Sequence, residues 1–164
     1  MIERIREPAP PRGIVRWLAR LPIYLYQIGL GRLLGSRFLR LKHTGRVSGM
    51  PRFTVLEVVD HDSEAGTYIV ASGWGERSDW VKNIQADPRV EVEVGGKHFP
   101  ATARRLSPDA AAQVMLGYGR KHPFALRELA GVMGYRVERD DAAYLALGRE
   151  VPIFIFKPVR DGTD

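Results

Sequence analysis

The residues best suited to bind a ligand are concentrated in one short segment, residues 44–52. They combine a glycine-rich backbone, hydroxyl groups and guanidinium groups, and they are Thr44, Gly45, Arg46, Ser48, Gly49 and Arg52. Glycines let a backbone approach a ligand closely, and hydroxyls, N–H groups and arginines together are the donors that a phosphate group needs. The same pattern is also typical of a hairpin loop with solvated arginines, and the spacing alone favours neither interpretation.

Two further segments could place a planar ring beside that loop. Small residues follow a strand-like run and leave room for a flat ring against the backbone: Ala71, Ser72 and Gly73. The neighbouring indole of Trp74 could stack on such a ring or pack in the core. Asp79, Trp80 and Asn83 then fall on a short helix, whose N-terminus favours a nearby anion. The sequence therefore predicts a site for an anionic ligand with a flat ring.

No segment carries the residues of a protein-borne catalytic site. The four histidines are scattered without metal-ligand spacing, and the chain has no cysteine. The serine motif G-x-S-x-G is missing from the sequence, and no Ser-His-Asp set can be drawn from local sequence. We therefore assign no catalytic residue and no metal ligand, which favours an enzyme whose bound cofactor carries the chemistry.

The composition favours one domain that binds an anionic small molecule. At 164 residues the chain is long enough for a sizeable core, and its net charge of +6 attracts anions. Because glutamates are interspersed among the basic residues, we expect a small-molecule substrate and no nucleic-acid partner. The N-terminal residues do not resemble a signal peptide, so we expect a cytoplasmic protein.

The N-terminal region, residues 1–35, is expected to form an arm and amphipathic helices outside the main domain of residues 36–160. Residues 1–13 are charged and proline-rich, which is typical of a loose arm. Residues 14–34 form an apolar stripe with regular arginines, broken at Pro22. Three roles fit this stripe: packing on the domain, peripheral contact with an anionic membrane, or a dimer contact.

The remaining pattern predicts an α+β fold, with an antiparallel β-barrel and helices packed outside. Period-two alternation predicts six strands, at residues 38–42, 52–60, 67–72, 90–94, 97–105 and 151–157. Capping residues and breakers predict helices at residues 78–87, 107–121, 124–133 and 140–148. Gly95-Gly96 fits a two-residue hairpin turn that pairs Val94 with Lys97. Hairpin connections argue against a parallel βαβ fold.

Several of these motifs resemble the deazaflavin-dependent nitroreductase family. The motifs that carry the resemblance are residues 44–52, 71–73, 79–84, 87–90 and 94–96. It covers residues 38–105 and the strand at 151–158, and it implies a split β-barrel related to flavin-mononucleotide-binding barrels, commonly a homodimer. It also implies that reduced coenzyme F420 delivers a hydride to an activated alkene, quinone or nitroaromatic acceptor, with FMN as the alternative cofactor.

The resemblance also implies which residues contact the cofactor. Phosphate and acidic-tail contacts would come from Thr44, Gly45, Arg46, Ser48, Gly49, Pro51 and Arg52. Contacts with the ring would come from Ala71, Ser72 and Gly73, and Asp79, Trp80 and Asn83 would line the same cleft. Trp74 stands where the family typically has a small or polar residue, and it is a cofactor-binding candidate from its place beside Gly73 alone. The family usually has a lysine where this chain has Val47, so one cation is missing. Tyr118, Tyr135 and Tyr144 are candidates for the tyrosines that face substrate in this family, and none is given that role.

The alternative function is a non-catalytic barrel protein that holds a flavin, a haem or a fatty acid. The missing cation at Val47 and the apolar stripe of residues 14–34 favour it. A basic protein that binds nucleic acid or membrane is a third interpretation, and the interspersed glutamates argue against it.

Overall fold

The computed structural model describes residues 1–7, 28 and 31–160. The helical pieces predicted within residues 14–34 fall almost wholly outside these residues. The described part of this region includes a 3-10 helix at Gly31–Leu34, followed by Gly35 with a φ of +58°. Within the described residues, no helix combines the length and the apolar character needed to cross a bilayer.

Across the described chain, six antiparallel strands close into a barrel and two short strands pair beside it. The strands are β1 Ile2–Arg4, β2 Phe38–Thr44, β3 Pro51–Asp62, β4 Thr67–Ala71, β5 Arg89–Val94, β6 Lys97–Arg105, β7 Tyr135–Val137 and β8 Ile153–Pro158. The barrel order is β2-β3-β4-β8-β6-β5, and β5 returns to pair with β2. The predicted α+β antiparallel barrel is therefore confirmed.

The glycine pair between β5 and β6 fixes the register of that hairpin. Gly95 and Gly96 have φ values of +55° and +81°, which a two-residue hairpin turn requires and which side chains with a Cβ rarely adopt. Val94 pairs with Lys97 directly across the turn, as predicted. A shift by one residue would move the buried face of each strand to the solvent.

Two apolar clusters hold the fold together. Large side chains that fill the barrel interior include Leu39, Leu41, Val70, Phe154 and Phe156. A second cluster, outside the barrel, joins strand and helix residues that include Val59, Met115, Leu126, Leu147 and Ile153. β8 lies between β4 and β6 and contributes to both clusters, because its alternate residues face opposite sides of the sheet. Its central place explains why it is apolar on both faces.

Four α-helices accompany the barrel in the described residues. They are α1 Asp79–Ala86, α2 Pro108–Lys121, α3 Pro123–Val132 and α4 Asp141–Glu150. The Ser107 Oγ accepts a hydrogen bond from the Ala110 N–H at 3.3 Å and so caps α2, as the sequence predicts. α1 contributes Trp80, Val81 and Ile84 to the barrel interior, so this helix covers part of the barrel core.

The first residues form a strand where the sequence predicted a loose arm. β1 pairs with β7 in antiparallel register, and the Arg136 Nη1 lies 3.0 Å from the Glu3 Oε2 across the pair. The N–H of Ile5 extends the contact by donating to the Gly134 carbonyl at 2.9 Å. Both strands have three residues, too few for a periodic pattern to be recognised. The prediction of a loose arm is therefore wrong for residues 2–4.

Helices α2 and α4 cross at two glycines. A Cβ on Gly119 would lie 2.5 Å from the Tyr144 ring, and a Cβ on Gly148 would lie 2.5 Å from the Ala111 carbonyl oxygen and from the Ala112 Cα. Both distances are shorter than real Cβ contacts, so only glycine permits this crossing. Tyr144 is 4% exposed, which makes it a core residue of the described fold.

We expect Gly148→Ala to destabilise the protein by about 1–3 kcal/mol, because the added methyl group meets backbone atoms of α2. Gly117 offers the matched control, since it lies in α2 and a Cβ there would meet nothing within 4 Å. Gly117→Ala should raise the free energy of unfolding by up to about 1 kcal/mol through helix propensity. Urea unfolding followed by circular dichroism measures both variants. A Gly148→Ala variant as stable as the wild type would contradict the close crossing.

Candidate functional site

The predicted phosphate-binding segment is a closed turn between β2 and β3. The Gly45 N–H donates to the Met50 carbonyl at 2.9 Å, and the Gly49 N–H donates to the Gly45 carbonyl at 2.8 Å. A Cβ on Gly45 would lie 2.7 Å from the Ser48 Oγ, and Gly49 has a φ of +67°. Both glycines are therefore required by the turn itself. Thr44 and Pro51 pair across its base.

Helix α1 anchors this turn through Arg46. The Arg46 backbone N–H and its Nη1 both donate to the Asn83 Oδ1, at 3.1 and 2.9 Å. The same guanidinium lies 3.1 Å from the Asp79 Oδ1. The structure thus brings together three predicted site residues that are far apart in the sequence. Their polar groups bind each other, so Arg46 holds the turn in place as well as adding charge.

Asn83 continues the network to His43, a buried residue that sequence reasoning gave no role. The Asn83 Nδ2 lies 3.1 Å from the His43 Nδ1, and both side chains are at most 5% exposed. Because the Asn83 Oδ1 already accepts two N–H groups of Arg46, the Asn83 Nδ2 must donate to His43. The Nδ1 is then the acceptor, which makes the imidazole neutral with its hydrogen on Nε2.

Burial and, to a lesser extent, the positive charge of Arg52 together lower the pKa of His43 to about 4, while the negative charge of Asp79 opposes the shift. This agrees with the neutral form that the hydrogen bonds require. The available signal in the sequence was the alternation of β2, which places His43 on the same inward face as Leu39 and Leu41. That pattern could have predicted burial, though not the bond to Asn83.

The turn leaves several hydrogen-bond donors free for a ligand. Among the described residues, Arg52 has no ion-pair partner and the N–H groups of Val47 and Ser48 have no acceptor. The Ser48 Oγ accepts the Met50 N–H at 3.2 Å and so keeps its own hydrogen available. Neighbouring Lys42 is already paired, at 2.7 Å from the Glu91 carboxylate. One free cation and three free donors suit a phosphate or carboxylate.

The predicted ring segment meets the same end of α1. The Ser72 Oγ donates to the Gly75 carbonyl at 2.8 Å and lies 2.9 Å from the Ser78 Oγ, so Ser78 donates to Ser72 instead of capping α1. The Ser72 N–H donates to the Pro152 carbonyl at 3.0 Å. Ser72 is 1% exposed, and its polar groups are committed within the protein. Gly73 next to it is half-buried, so a flat ring could reach its backbone.

The aromatic residues of the predicted cleft divide between surface and core. Trp80 is 5% exposed, and its ring meets the Phe154 ring edge-on with 5.3 Å between centroids. Its indole therefore packs in the barrel and does not line an open cleft. Trp74 is half-buried and directly precedes the 3-10 turn Gly75–Arg77. Ala71 is buried at the end of β4.

Two predicted segments thus converge on the N-terminus of α1. Arg46 reaches Asp79 and Asn83 from one side, while Ser72 reaches Ser78 from the other. No side chain of the described residues caps the first turn of α1, so its N–H groups add a positive potential at this point. The convergence places the β2–β3 turn with its anion donors and the small-residue segment before Gly73 at the same helix N-terminus.

A comparison with protein families identifies the chain. The family model of F420H(2)-dependent quinone reductases matches residues 25–145, well over half of the sequence. The chain belongs to this family. The resemblance to deazaflavin-dependent reductases is therefore confirmed.

Individual relatives of the F420H(2)-dependent quinone reductase family cover only part of the chain. An F420H(2)-dependent quinone reductase of Mycobacterium tuberculosis (strain H37Rv) is 37% identical over 98 residues, which are 56% of this chain and 64% of that protein. A putative F420H(2)-dependent quinone reductase of Mycobacterium bovis matches to the same extent. The chain thus spans less than two thirds of the length of these relatives.

Solved structures support the fold of this family member. An F420-H2 dependent reductase, FDR-A, has a TM-score of 0.52 at 24% identity, covering 74% of this chain and 94% of its own. The haem storage protein HutZ of Vibrio cholerae has a TM-score of 0.52 at 15% identity, covering 83% of this chain and 90% of its own. At these identities the likeness concerns the barrel fold alone, and it agrees with the predicted split-barrel class.

We expect the stability of the protein to fall by about 2 kcal/mol between pH 7 and pH 5 because of His43 alone. The pKa of His43 is lowered from 6.5 to about 4 on folding, so the unfolded chain takes up the proton first as the pH falls. The loss therefore develops below about pH 6.5 and ends near pH 4. The comparison of wild type with His43→Gln in urea unfolding at both pH values removes the contribution of other groups. Equal pH dependence in the two proteins would refute a neutral buried His43.

Proposed function

We propose that this protein is an oxidoreductase that uses reduced coenzyme F420 to reduce quinones. The family to which the chain belongs supports this reaction class. The observation that carries the proposal is the set of free anion donors at the β2–β3 turn, next to the uncapped start of α1. F420 carries a phosphate and an acidic glutamyl tail, so this donor set fits its anionic part.

In this proposal the residues of the turn have different roles. Arg52 and Ser48 supply the cation and the hydroxyl that bind the phosphate or the tail, together with the N–H groups of the turn. Thr44, Gly45, Gly49 and Pro51 shape the turn that presents these groups. Arg46 fixes the turn on α1, because its guanidinium and backbone N–H bind Asp79 and Asn83.

The ring of the cofactor is assigned to the segment after β4. Ala71 is buried and the Ser72 hydroxyl is hydrogen-bonded within the protein, so these two residues form a rigid base for the ring. Gly73 leaves its backbone accessible, and Trp74 is a partly exposed aromatic residue next to it. Reduced F420 supplies a hydride when it is bound. The protein contributes binding, orientation and a water-poor base for the ring, which agrees with the lack of an assigned catalytic residue.

Activated alkenes and nitroaromatics accept a hydride as quinones do, and we propose them as further acceptors of the same site. The predicted cytoplasmic location, the peripheral membrane contact through residues 14–34 and the homodimer stay predictions.

We expect Arg52→Gln to weaken F420 binding about tenfold, because it removes the one free cation of the turn. The matched control is Arg104→Gln, which removes an exposed arginine of β6 that has no ion-pair partner among the described residues. Arg46 is a poorer test, since its loss would also release the turn. Fluorescence titration of each protein with oxidised F420 measures the affinity.

The same titration with FMN and with haem decides between the two functions. Saturable binding of F420 that Arg52→Gln weakens and Arg104→Gln leaves unchanged supports the reductase. Binding of FMN or haem in place of F420 would instead favour the non-catalytic barrel protein. No binding of F420 at saturating concentration would refute the proposed cofactor.

Val47→Lys should strengthen F420 binding, because it restores the cation that the family usually has at this position. Val47 is 91% exposed at the tip of the turn, so the longer side chain meets no steric obstacle. The gain should shrink as the salt concentration rises, since exposed charges are screened. Titrations at low and at physiological ionic strength measure it, and Val47→Gln controls for side-chain length without charge. A gain of equal size for Gln would show that charge is not the cause.

A further inference from the structure

The hydrogen bonds of the Asn83 amide admit only one state of the His43 ring. The backbone N–H and the Nη1 of Arg46 are donors in every protonation state, and both bind the Asn83 Oδ1, at 3.1 and 2.9 Å. The Asn83 Nδ2 is therefore turned toward the His43 Nδ1, 3.1 Å away. Only an Nδ1 without a hydrogen can accept from it, so this orientation of the amide requires a neutral His43.

A proton on the His43 Nδ1 would leave hydrogen-bond donors facing each other. If the Asn83 amide kept its orientation, its Nδ2 hydrogen would meet the new hydrogen of His43. If the amide turned over, its Oδ1 would accept from His43, but its Nδ2 would then meet the two N–H groups of Arg46. His43 and Asn83 are at most 5% exposed, so water cannot readily separate the opposed donors. Protonation of His43 and the bonds between Arg46 and Asn83 therefore exclude each other.

Charged groups act on His43 from the two neighbouring strands and from α1. Arg52 of β3 pairs with His43 across the hairpin, and its positive charge disfavours a second cation there. Asp79 of α1 has the opposite effect, but its side chain is 81% exposed. On β5, the other neighbour of β2, the pairing ends at Glu91, whose carboxylate lies 2.7 Å from the Lys42 ammonium. Burial and Arg52 outweigh Asp79, and the pKa of His43 is about 4.

The bonds between Arg46 and Asn83 align the anion donors of the β2–β3 turn with helix α1. The turn is closed by its own hydrogen bonds at Gly45 and Gly49, so it would keep its shape if Arg46 left Asn83. Its position would change, because Arg46 is the residue through which the turn binds Asn83 and Asp79 of α1. The N–H groups of the turn and those of the first turn of α1 would then no longer be held around the same anion.

We propose that His43 is a positioning residue of the anion site: neutral His43 holds Asn83 and, through it, Arg46 in place, and a proton on its Nδ1 releases the turn and weakens anion binding. This deepens the proposed function and rests on it for the identity of the anion, which is the phosphate or the acidic tail of F420. Charge alone would act in the opposite direction, since a second cation beside Arg52 would attract an anion more strongly.

The titration of His43 in the wild type distinguishes these two directions. Inorganic sulfate is the probe, because it keeps its charge over the acid range. If sulfate binds only while Arg46 is held by Asn83, saturating sulfate lowers the pH at which His43 titrates, by at least about 0.7 pH unit for a fivefold coupling. NMR of the His43 ring signals measures this midpoint, with sodium chloride at equal ionic strength as the control. An unchanged or raised midpoint would overturn the positioning role.

Variants at neutral pH give a second test, which does not depend on stability in acid. His43→Leu removes the acceptor of the Asn83 Nδ2, so we expect sulfate binding to weaken at least about fivefold and hydrogen exchange of the Arg46 backbone N–H to accelerate. His43→Asn places an amide oxygen near the position of Nδ1 and should restore both properties. Val92→Ala is the matched control, because it removes buried volume from the barrel core at a residue outside this network. Thermal unfolding verifies that each variant is folded.

The sulfate measurements also separate this inference from the proposed function. Sulfate binding that is weakened in His43→Leu and restored in His43→Asn, in a protein that does not bind F420, would keep the positioning role and refute the reductase. Three results would overturn the positioning role: wild-type affinity in His43→Leu, an equal loss in His43→Asn, or an equal loss in Val92→Ala. A turn that binds no sulfate at saturating concentration would remove the anion site and this inference with it.

Discussion

The candidate site depends on one buried amide, that of Asn83. Its oxygen receives two N–H groups of Arg46, and its nitrogen faces His43. The amide therefore joins β2, the β2–β3 turn and helix α1, which are distant in sequence. Loss of this amide would remove several hydrogen bonds at once. Its partners are buried or part-buried, so water could not readily replace those bonds. Together with the contact between Arg46 and Asp79, this group sets the position of the turn relative to α1.

The network also explains why some polar groups of the turn are available to a ligand and others are bound within the protein. The Arg46 guanidinium is bound to Asp79 and holds the turn on α1, whereas Arg52 has no ion-pair partner in the part of the chain that is described. On the other side of α1, the hydroxyls of Ser72 and Ser78 are bound to each other. The polar residues around the helix N-terminus thus fall into a buried set that fixes geometry and an exposed set that can meet an anion.

Much of the fold could be predicted from the sequence, because local rules govern it. Alternation placed six strands, Gly95-Gly96 placed a hairpin, and Ser107 marked the start of α2. The motif resemblance led to the correct family. The pairing of β1 with β7 could not be predicted, since three-residue strands carry no period. The bond between Arg46 and Asn83 and the burial of Trp80 depend on tertiary packing, and a linear pattern contains no information on them.

The crossing of α2 over α4 has a consequence for how these two helices can move. At Gly148 the backbone of α4 lies against the backbone of α2 at Ala111 and Ala112, and at Gly119 the backbone of α2 lies against the Tyr144 ring. Sliding either helix would bring a residue with a Cβ to the place of a glycine, so α2 and α4 form one rigid unit.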